Sequence, residues 1–427
     1  MHAMQDSRIP WLGSVPSHWK RGKLKQYIFE ISEKNSPVKT TDILSLTNKL
    51  GVVPYEEKGN QGNTAKEKYD EYKLAYPDTI VANSMNILIG SVGYCSYFGC
   101  VSPVYYVFKN LKNGNLKYIN YIFQTTEFQK CLRQFSNGIL EIRQRVSAKT
   151  ILNQDFFFPT LDEQNKIVEY LDTICAQIDT IIAKEQSVIE KLQEYKQAII
   201  TEAVTKGVDP NVEMIESDIS WIKTIPVTWK VSKLKYVAEF SPKCDFTDIE
   251  PDTEVTYTPM EYIKKGNYIP NSEAIGKLSS SLTKYEEGDI VIAKVTPCFE
   301  NGNIAIMNNL KSGKGLGSSE LFVFRVPEAI RKFVFYWMQN KLFIEQCVAT
   351  MTGTGGLKRV SSYYISNSQI LLPPSAVIDD ICNYLDEKCE LIERTIRQKE
   401  LVINQLTEYK KSLIYEVVTG KKEVPHV

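Results

Sequence analysis

The chain carries the same stretch of sequence twice, which restricts it to a duplicated fold. Ile9–Lys25 (IPWLGSVPSHWKRGKLK) matches Ile219–Lys235 (ISWIKTIPVTWKVSKLK), about 210 residues further on. Late in each copy, the Tyr-Leu-Asp at 170–172 returns at 384–386. The segments in between align poorly, apart from short echoes such as Arg-Val-Ser at 145–147 and 359–361. The two copies are therefore alike at their ends and different in their middle segments. Either the middle segments recognise different targets, or they diverged without a function.

Length and charge set limits on the kind of protein. A chain of 427 residues is too long for one ordinary core and suits two or more domains. Lys plus Arg and Asp plus Glu number 51 each, so the whole molecule has no positive field that would attract nucleic acid. Any nucleic-acid surface must come from local clustering of cations.

Cysteine and histidine usage argues against a metal centre. There are nine Cys but no C-x-x-C pair, and only three His, so we expect reduced, buried thiols with neither metal nor cofactor. A secretory leader and a run of about 18 apolar residues are both missing from the sequence. These features predict a cytoplasmic chain without membrane contact.

Each copy ends in a pattern typical of a long helix. The first is predicted from Thr160 to Gly207, with Glu163 placed for a capping box and Gly207 as the stop. The second is predicted from Ser375 to about Gly420. Apolar residues with four-three spacing predict the seam of a coiled coil: Ile167, Leu171, Ile174, Ile178, Ile181, Val188, Leu192, Tyr195 and Ile199, then Ile381, Leu385, Ile392, Val402, Leu406, Tyr409 and Leu413. Since each helix begins at its own globular head, internal pairing requires an antiparallel pair; the alternative is a coiled coil formed in trans.

The globular heads are predicted to mix strands and short helices. Residues 20–158 and 230–372 contain β-branched and aromatic runs at Thr79–Ala82, Val104–Phe108, Asp289–Val295 and Leu321–Val326, and helical stretches at Leu116–Phe135 and Ala329–Cys347. The fold class is therefore α+β, with two mixed α/β domains joined by a long antiparallel two-helix coiled coil in a pseudo-two-fold repeat. The expected divisions are 1–158, 159–207, 208–372 and 373–427. Four Trp, at 11, 19, 221 and 229, are expected in the core at the helix junctions.

Three kinds of loop combine cations with glycine, amide or aromatic residues. The first is residues 136–138 leading to Arg143-Gln144-Arg145, mirrored by residues 352–356 leading to Lys358-Arg359. The second is the pair 90–94 and 294–297, each just after a predicted strand, and the third is residues 47–49 with their loop to Asn63, roughly opposite 260–268. Phosphates are neutralised by Lys and Arg, and base edges are read by Arg, Asn and Gln, so such loops are candidates for contact with DNA. Ordinary solvated turns are the alternative for any single residue. The candidates are Lys49, Tyr94, Asn137, Arg143 and Arg145 in the first head, and Lys264, Lys294, Thr354, Lys358 and Arg359 in the second.

Catalytic motifs are missing from the sequence. A methyltransferase needs a glycine-rich cofactor loop and an Asn or Asp-Pro-Pro-aromatic motif, whereas the Pro-Pro pair at 373–374 begins a helix. Gly313-Lys314-Gly315 does not fit the spacing of a P-loop. The acidic cluster at 251–254 lacks the lysine of a Mg²⁺-dependent nuclease, and His18 is replaced by Thr228 in the second copy. We therefore predict no catalytic residues.

The repeated motifs resemble those of specificity subunits of type I restriction-modification enzymes. The resemblance rests on Val15-Pro16-Ser17-His18-Trp19 and Ile225-Pro226-Val227-Thr228-Trp229, on the two Tyr-Leu-Asp segments, and on the Glu-Tyr-Lys at 194–196 and 408–410. It covers nearly the whole chain and implies two target-recognition domains, each reading half of a split site in double-stranded DNA. The helices between them would act as a ruler. The partners implied are methyltransferase subunits, two in number, and through them motor-nuclease subunits.

Two other classes of function stay open at this point. The chain could carry nuclease or methyltransferase activity in an unrecognised form, which incubation of the chain alone with DNA, Mg²⁺ and S-adenosylmethionine would reveal. It could also be an adaptor that binds no DNA and is built on the long helices. A salt-dependent DNA shift in the presence of the methyltransferase separates that possibility from DNA recognition.

Overall fold

The computed structural model describes residues 3–47, 51–59, 68–111, 114–136, 145–354 and 356–425. The chain divides into two compact units. Unit 1 comprises Met1–Glu185 with Glu400–Val427, and unit 2 comprises Gln186–Lys399. Each unit therefore contains one globular head and a part of both long helices.

Unit 1 is built around a four-stranded antiparallel sheet with the order β4-β11-β8-β9. Its strands are β1 (Met4–Asp6), β2 (Ser14–Pro16), β3 (Lys20–Lys23), β4 (Ile28–Ile31), β5 (Leu44–Thr47), β6 (Gly51–Pro54), β7 (Lys73–Ala75), β8 (Thr79–Asn83), β9 (Val92–Cys95), β10 (Gly99–Val101), β11 (Tyr105–Asn110) and β12 (Asp155–Phe158). Its helices are α1 (Leu116–Gln124), α2 (Thr126–Arg133), α3 (Ala148–Leu152) and the first part of α4 (Leu161–Lys206).

Unit 2 contains a sheet of the same size with the order β16-β25-β22-β23. Its strands are β13 (Met214–Glu216), β14 (Thr224–Pro226), β15 (Lys230–Lys233), β16 (Glu239–Phe240), β17 (Glu254–Thr258), β18 (Ile263–Lys264), β19 (Asn267–Tyr268), β20 (Ser272–Ala274), β21 (Thr283–Glu286), β22 (Ile290–Ala293), β23 (Ile304–Ile306), β24 (Lys314–Gly317), β25 (Leu321–Arg325), β26 (Thr352–Thr354), β27 (Leu357–Arg359) and β28 (Gln369–Leu372). Its helices are α5 (Leu234–Val237), α6 (Glu328–Trp337), α7 (Lys341–Ala349), α8 (Ser362–Asn367) and the first part of α9 (Ser375–Val418).

The two heads share their topology even where their sequences do not align. The β4-β11-β8-β9 and β16-β25-β22-β23 sheets are both antiparallel and place their strands in the same succession along the chain. Unit 2 also has a second four-stranded sheet, β20-β17-β24-β21, in which β17 and β24 are parallel. In both heads the strand after the Trp motif pairs with the strand that precedes the long helix, β3 with β12 and β15 with β28. The α+β class and the internal repeat predicted from the sequence are therefore confirmed, although each predicted head helix is divided in two, at Thr125 and at Met338–Asn340.

Both long helices have the bounds expected from their caps. The Thr160 hydroxyl accepts a hydrogen bond from the backbone N–H of Glu163 (3.3 Å), as a capping residue does. The Glu163 carboxylate does not complete the predicted capping box, because it accepts hydrogen bonds from Trp19 Nε1 (3.0 Å) and binds His18 Nε2 (3.1 Å). This side chain therefore joins the start of α4 to the Trp motif of the same head.

The seam of the long helices differs in phase from the predicted one. The apolar positions expected at Ile181, Val188 and Tyr195 are 44%, 37% and 54% exposed. The inward side chains of α4 also follow a heptad repeat, but every second one lies one residue after the predicted position. They are Leu171, Cys175, Ile178, Ile182, Glu185, Ile189, Leu192, Lys196 and Ile199. On α9 the same shift exposes Val402 and Tyr409 and turns Ile403 and Lys410 inward. The heptad repeat is thus present, but five of its sixteen predicted members are exposed and were wrong.

Within each unit the two helices run antiparallel. In unit 1 the core combines Ile167, Leu171 and Ile178 of α4 with Leu413 and Val417 near the end of α9. In unit 2 it combines the end of α4 with the beginning of α9, for example Val204 with Ile381. Since the start of one helix meets the end of the other in each core, the antiparallel pairing inferred from the connectivity is confirmed.

An equivalent ion pair links the helices in each unit. In unit 1 Lys410 Nζ lies 2.6 Å from Asp179 Oδ1, and in unit 2 Lys196 Nζ lies 2.5 Å from Glu393 Oε1. Lys196 and Lys410 occupy the same position of the repeat, as do Asp179 and Glu393. Each helix therefore contributes the cation in one unit and the carboxylate in the other, with the same register.

A matched carboxylate fixes each head to its long helix. Asp172 accepts a hydrogen bond from Tyr121 (2.7 Å) and binds Lys117 (2.8 Å). In unit 2 Asp386 accepts a hydrogen bond from Tyr336 (2.7 Å) and binds Lys332 (2.6 Å). Burial and the hydrogen bond to the carboxylate raise the pKa of both tyrosines, so that both hydroxyls stay protonated donors. The Asp of the repeated Tyr-Leu-Asp motif thus has a structural role.

The free cysteines and the buried tryptophans agree with the expectations from composition. All nine cysteines are free thiols, and the buried Trp19 and Trp229 belong to the cores. Within the described ranges no group of three or more His, Cys, Asp and Glu is placed to hold a metal ion. Among the helices that the structure describes, none combines the length and the apolar character needed to cross a membrane.

Candidate nucleic-acid interface

Two of the loop types singled out from the sequence come together in unit 2. The loop after β22, which begins at Lys294, lies against the β26–β27 hairpin. Thr296 N–H donates to the Lys358 carbonyl (3.0 Å), Lys358 N–H donates to Thr296 Oγ1 (2.9 Å), and Val360 N–H donates to the Lys294 carbonyl (2.9 Å). Thr296 Oγ1 also donates to the Gly356 carbonyl (3.0 Å). These bonds hold the two segments as a single surface, called here the hairpin cluster: residues 294–297 with 352–354 and 356–359.

Glu320 controls the charge of the hairpin cluster. Arg359 binds its carboxylate with two hydrogen bonds, Nε to Oε2 at 3.0 Å and a terminal nitrogen to Oε1 at 2.7 Å. Lys294 Nζ lies 3.9 Å from Oε2 and donates to the Ser319 carbonyl (2.7 Å). The hydrogen bond from Arg359 lowers the pKa of Glu320, so the carboxylate is ionised at neutral pH. In the free molecule two of the candidate cations therefore share one internal counter-ion.

The remaining candidates of the hairpin cluster face solvent. The side chains of Thr354 and Lys358 are exposed, while their strands are paired through β26 and β27. Gly353 and Gly356, with φ of +150° and +82°, occupy backbone conformations that L side chains rarely adopt. A threonine hydroxyl and a lysine ammonium on an exposed hairpin are suited to contact phosphates or base edges.

Lys264 lies on a second hairpin of unit 2 and is exposed. The hairpin is formed by β18 and β19, and its turn contacts β23 through the hydrogen bond from Gly266 N–H to the Ile304 carbonyl (2.9 Å). Ile304 pairs with Ile292, next to the end of β22 where the loop of Lys294 begins. Lys264 and the hairpin cluster are therefore both carried by the same end of the central sheet.

Unit 1 holds its described candidates in a comparable frame. Val146 N–H, next to Arg145, donates to the Ser84 carbonyl (3.3 Å), which is the counterpart of the bond between Val360 and Lys294. Arg145 is exposed and contacts Met85 Sδ at 3.8 Å. The counterpart of the Lys294 loop is therefore Ser84–Asn86, directly after β8. The pairing of the Lys294 loop with Gly90–Tyr94 expected from the sequence is wrong, because the poorly aligned middle segments obscure the equivalence of β8 and β22.

Tyr94 is held inside its own unit by hydrogen bonding. Its hydroxyl donates to Asp78, and burial together with this bond raises its pKa to about 12. Lys117 Nζ lies 5.6 Å from the centre of its ring. A half-buried tyrosine whose hydroxyl already donates a hydrogen bond is a weaker candidate for base contact than Arg145. The candidates Lys49, Asn137 and Arg143 lie outside the described residues.

The comparisons with known proteins agree with this architecture. The family model described as "Type I restriction modification DNA specificity domain" matches residues 16–191. The matched residues, less than half of the chain, are similar to that domain family, in agreement with the resemblance drawn from the repeated motifs. Among the relatives, the chain is similar to the type I restriction enzyme EcoAI specificity subunit of Escherichia coli, with 31% identity over 192 residues, 44% of this chain and 32% of the relative. The EcoEI specificity subunit of the same species is 28% identical over 193 residues, again 44% of this chain and 32% of the relative. The matched segment thus spans about a third of the length of these curated relatives.

A solved structure extends the likeness in fold to the rest of the chain. It is described as the structural basis underlying complex assembly and conformational transition of the type I R-M system. One of its chains superposes with a TM-score of 0.70 and covers 96% of this chain and 99% of its own length, at 12% sequence identity. At that identity the likeness concerns the fold, and it includes the second copy of the repeat.

Proposed function

We propose that the chain is the DNA-reading subunit of a type I restriction-modification complex, with one half of a split DNA site read by each head. The observation that carries this proposal is the duplicated topology. The same sheet and the same helix junction occur twice, while the loops at the end of the sheet differ, Ser84–Asn86 in unit 1 and Lys294–Pro297 in unit 2. Two domains that recognise different half-sites need the same fold with different loops.

In this proposal the chain performs no catalysis and works in the cytoplasm, where bacterial DNA lies. Two methyltransferase subunits bind it, and motor-nuclease subunits join through the complex. We further infer that α4 and α9 set the number of base pairs between the half-sites. The support for this is that both helices run through both units and pair with the same register in each.

The test of the proposal is an exchange of one head. Residues 20–158 are replaced by the corresponding segment of another specificity subunit, which leaves α4, α9 and the second head intact. When the chimera is expressed with its methyltransferase partner, we expect the methylated sites to change in one half only. Methylome sequencing of the host reads the result. A change in both halves, or in neither, contradicts independent reading by the two heads.

Removal of the internal counter-ion of the hairpin cluster is a further prediction. Glu320→Gln frees Arg359 and Lys294 for phosphates, so we expect the DNA affinity of the assembled complex to increase roughly three- to tenfold at low salt. The salt dependence should become steeper as further phosphate contacts form. Fluorescence anisotropy with labelled DNA over a series of salt concentrations measures both quantities.

Glu273→Gln is the matched control for this experiment. Glu273 is a surface carboxylate of the same unit that pairs with Lys277 (3.1 Å) rather than with the hairpin cluster. The substitution makes the same change in net charge, so its affinity should stay near that of the unmodified chain. Equal gains for the two variants would mean that only the overall charge matters and that the hairpin cluster does not face DNA.

A further inference from the structure

An open groove lies in unit 2 between the last turns of α4 and the loop of Trp221. Its volume is about 1060 Å³, and its walls include Ala198, Thr201, Trp221, Ile222 and Lys341. The Trp221 ring is half-buried, with its centre 5.8 Å from that of Trp337 in the core. Much of the wall is apolar, although it stands open to solvent.

The equivalent place in unit 1 is filled by two side chains of the chain itself. Tyr415 Oη donates to the carbonyl of Trp11 (3.0 Å), and Lys421 Nζ donates to the carbonyl of Leu12 (2.8 Å). Lys421 Nζ also lies over the Tyr415 ring, 4.1 Å from its centre. An aromatic ring with an ammonium group stacked upon it therefore closes the groove and satisfies two carbonyls of the Trp11 loop.

The equivalence of the two places rests on the sequence repeat and on one matched hydrogen bond. Trp11 corresponds to Trp221 in the repeat. Thr205 and Thr419 both donate their hydroxyls to the carbonyl four residues earlier, at 2.6 Å in each case. Those carbonyls belong to Thr201 and Tyr415, so Thr201 stands where unit 1 has its tyrosine. Gly207 corresponds to Gly420, the residue before Lys421. The residue after Gly207 is Val208, which carries no charge.

We propose that the unit 2 groove binds a protein segment that carries a tyrosine or phenylalanine together with a nearby lysine or arginine. The ring takes the place of Tyr415 against Trp221, and the cation takes the place of Lys421 near the carbonyls of Trp221 and Ile222. Within the described ranges neither carbonyl receives a hydrogen bond from a side chain of this protein. The segment belongs to a different protein chain, because Tyr415 and Lys421 are already engaged in unit 1.

The charges that line the groove fit this occupant. Two of the lining cations are paired, Lys206 with Glu202 at 3.6 Å and Lys341 with Glu345 at 3.9 Å. The lining itself carries three carboxylates and three ammonium groups, and Glu345 beside Lys341 adds one carboxylate in excess at the edge of the groove. A positively charged segment is favoured over an acidic one. A segment with an aromatic ring and a cation matches both the apolar wall of the groove and its carboxylates.

The test uses a fluorescent peptide that copies residues 415–424, which contain the tyrosine and the lysine of unit 1. We expect saturable binding of this peptide to the full-length chain, measured by fluorescence anisotropy. Replacing the tyrosine of the peptide by alanine should weaken binding at least tenfold, and replacing both lysines by glutamate should do the same. Absence of saturable binding, or equal binding of all three peptides, would overturn the proposal.

Variants of the chain locate the bound peptide. Thr201→Tyr supplies the missing ring from within, and Ala198→Trp fills the groove from an exposed position without loss of a hydrogen bond. Both should weaken peptide binding at least tenfold. Ser412→Trp, at the position of unit 1 equivalent to Ala198, is the matched control and should change binding less than twofold. If the blocking variants bind the peptide as tightly as the control does, the groove is not the site. The outcome is independent of DNA recognition, since no DNA is present.

Discussion

One additional heptad in each long helix is expected to lengthen the spacer between the two DNA half-sites by about three base pairs. The insertions go after Glu185 and after Lys399, which are equivalent positions at the boundary of the two units. A heptad adds about 10 Å to a helix, and one base pair occupies about 3.4 Å of duplex. Seven residues keep the phase of the seam, so that both ion pairs between the helices are retained. Methylome sequencing in a host that carries the methyltransferase partner measures the spacer directly.

The control inserts the heptad into α4 alone. That change moves the two ends of α4 apart, so Leu171 and Val204 cannot both keep their partners on an unchanged α9. The variant should therefore lose recognition or stability rather than acquire a new spacer. If the doubly extended chain still methylates its original sites, the helices do not set the spacing, even if both heads read DNA as proposed.

Substitution of Gly420 by alanine is expected to have the largest effect on stability among the single changes considered. Gly420 adopts a φ of +71°, and an added Cβ would lie 2.5 Å from ring atoms of Pro16 and 2.9 Å from Trp19. The positive φ costs an alanine about 1 kcal/mol, and forcing the methyl group against a proline ring adds about 2 kcal/mol more. Gly420→Ala should therefore lose about 3 kcal/mol of unfolding free energy, measured by urea denaturation.

Gly207→Ala is its internal control. Gly207 ends α4 as Gly420 follows α9, with a φ of +82°, but there the added Cβ would meet Trp229 at 3.4 Å, an ordinary contact. The loss should be limited to the conformational part, about 1 kcal/mol. Equal losses for the two variants would show that the backbone conformation alone, and not the contact with Pro16, determines the cost.

Local signals in the sequence predicted the ends of the long helices and the existence of the repeat, but they did not determine which residues face the seam. Ile181 stands next to Ile182 and Val188 next to Ile189, so two heptad phases fit the apolar pattern almost equally. The structure selects the phase that places Lys196 inward. A lysine is acceptable there because Glu393 of α9 lies opposite, and this partner is distant in sequence. Neighbours in space, rather than periodicity, decided the phase.

The candidate interface was predictable as a set of loops and less so residue by residue. The sequence singled out the hairpin of Lys358 and Arg359 and the loop of Lys294 as separate candidates, and the structure brings them together in the hairpin cluster. The sequence did not indicate that Glu320 would bind Arg359, because the two are 39 residues apart. The loop Ser84–Asn86 was overlooked because it contains no cation and because its equivalence to Lys294–Thr296 is visible only in the order of the strands. DNA contact by the ten candidate residues stays a prediction.

The reciprocal ion pairs have a consequence for the origin of the molecule. Since Lys196 and Lys410 are equivalent, as are Asp179 and Glu393, one copy of the repeat carries on a single helix both the cation and the carboxylate that the pairing needs. An ancestral gene that encoded one copy would have produced a self-complementary polypeptide, able to form a symmetric homodimer by the same contacts. If each head reads DNA as proposed, such a homodimer would have recognised an inverted-repeat sequence. Duplication and fusion of that gene would have freed each half to evolve its own preference.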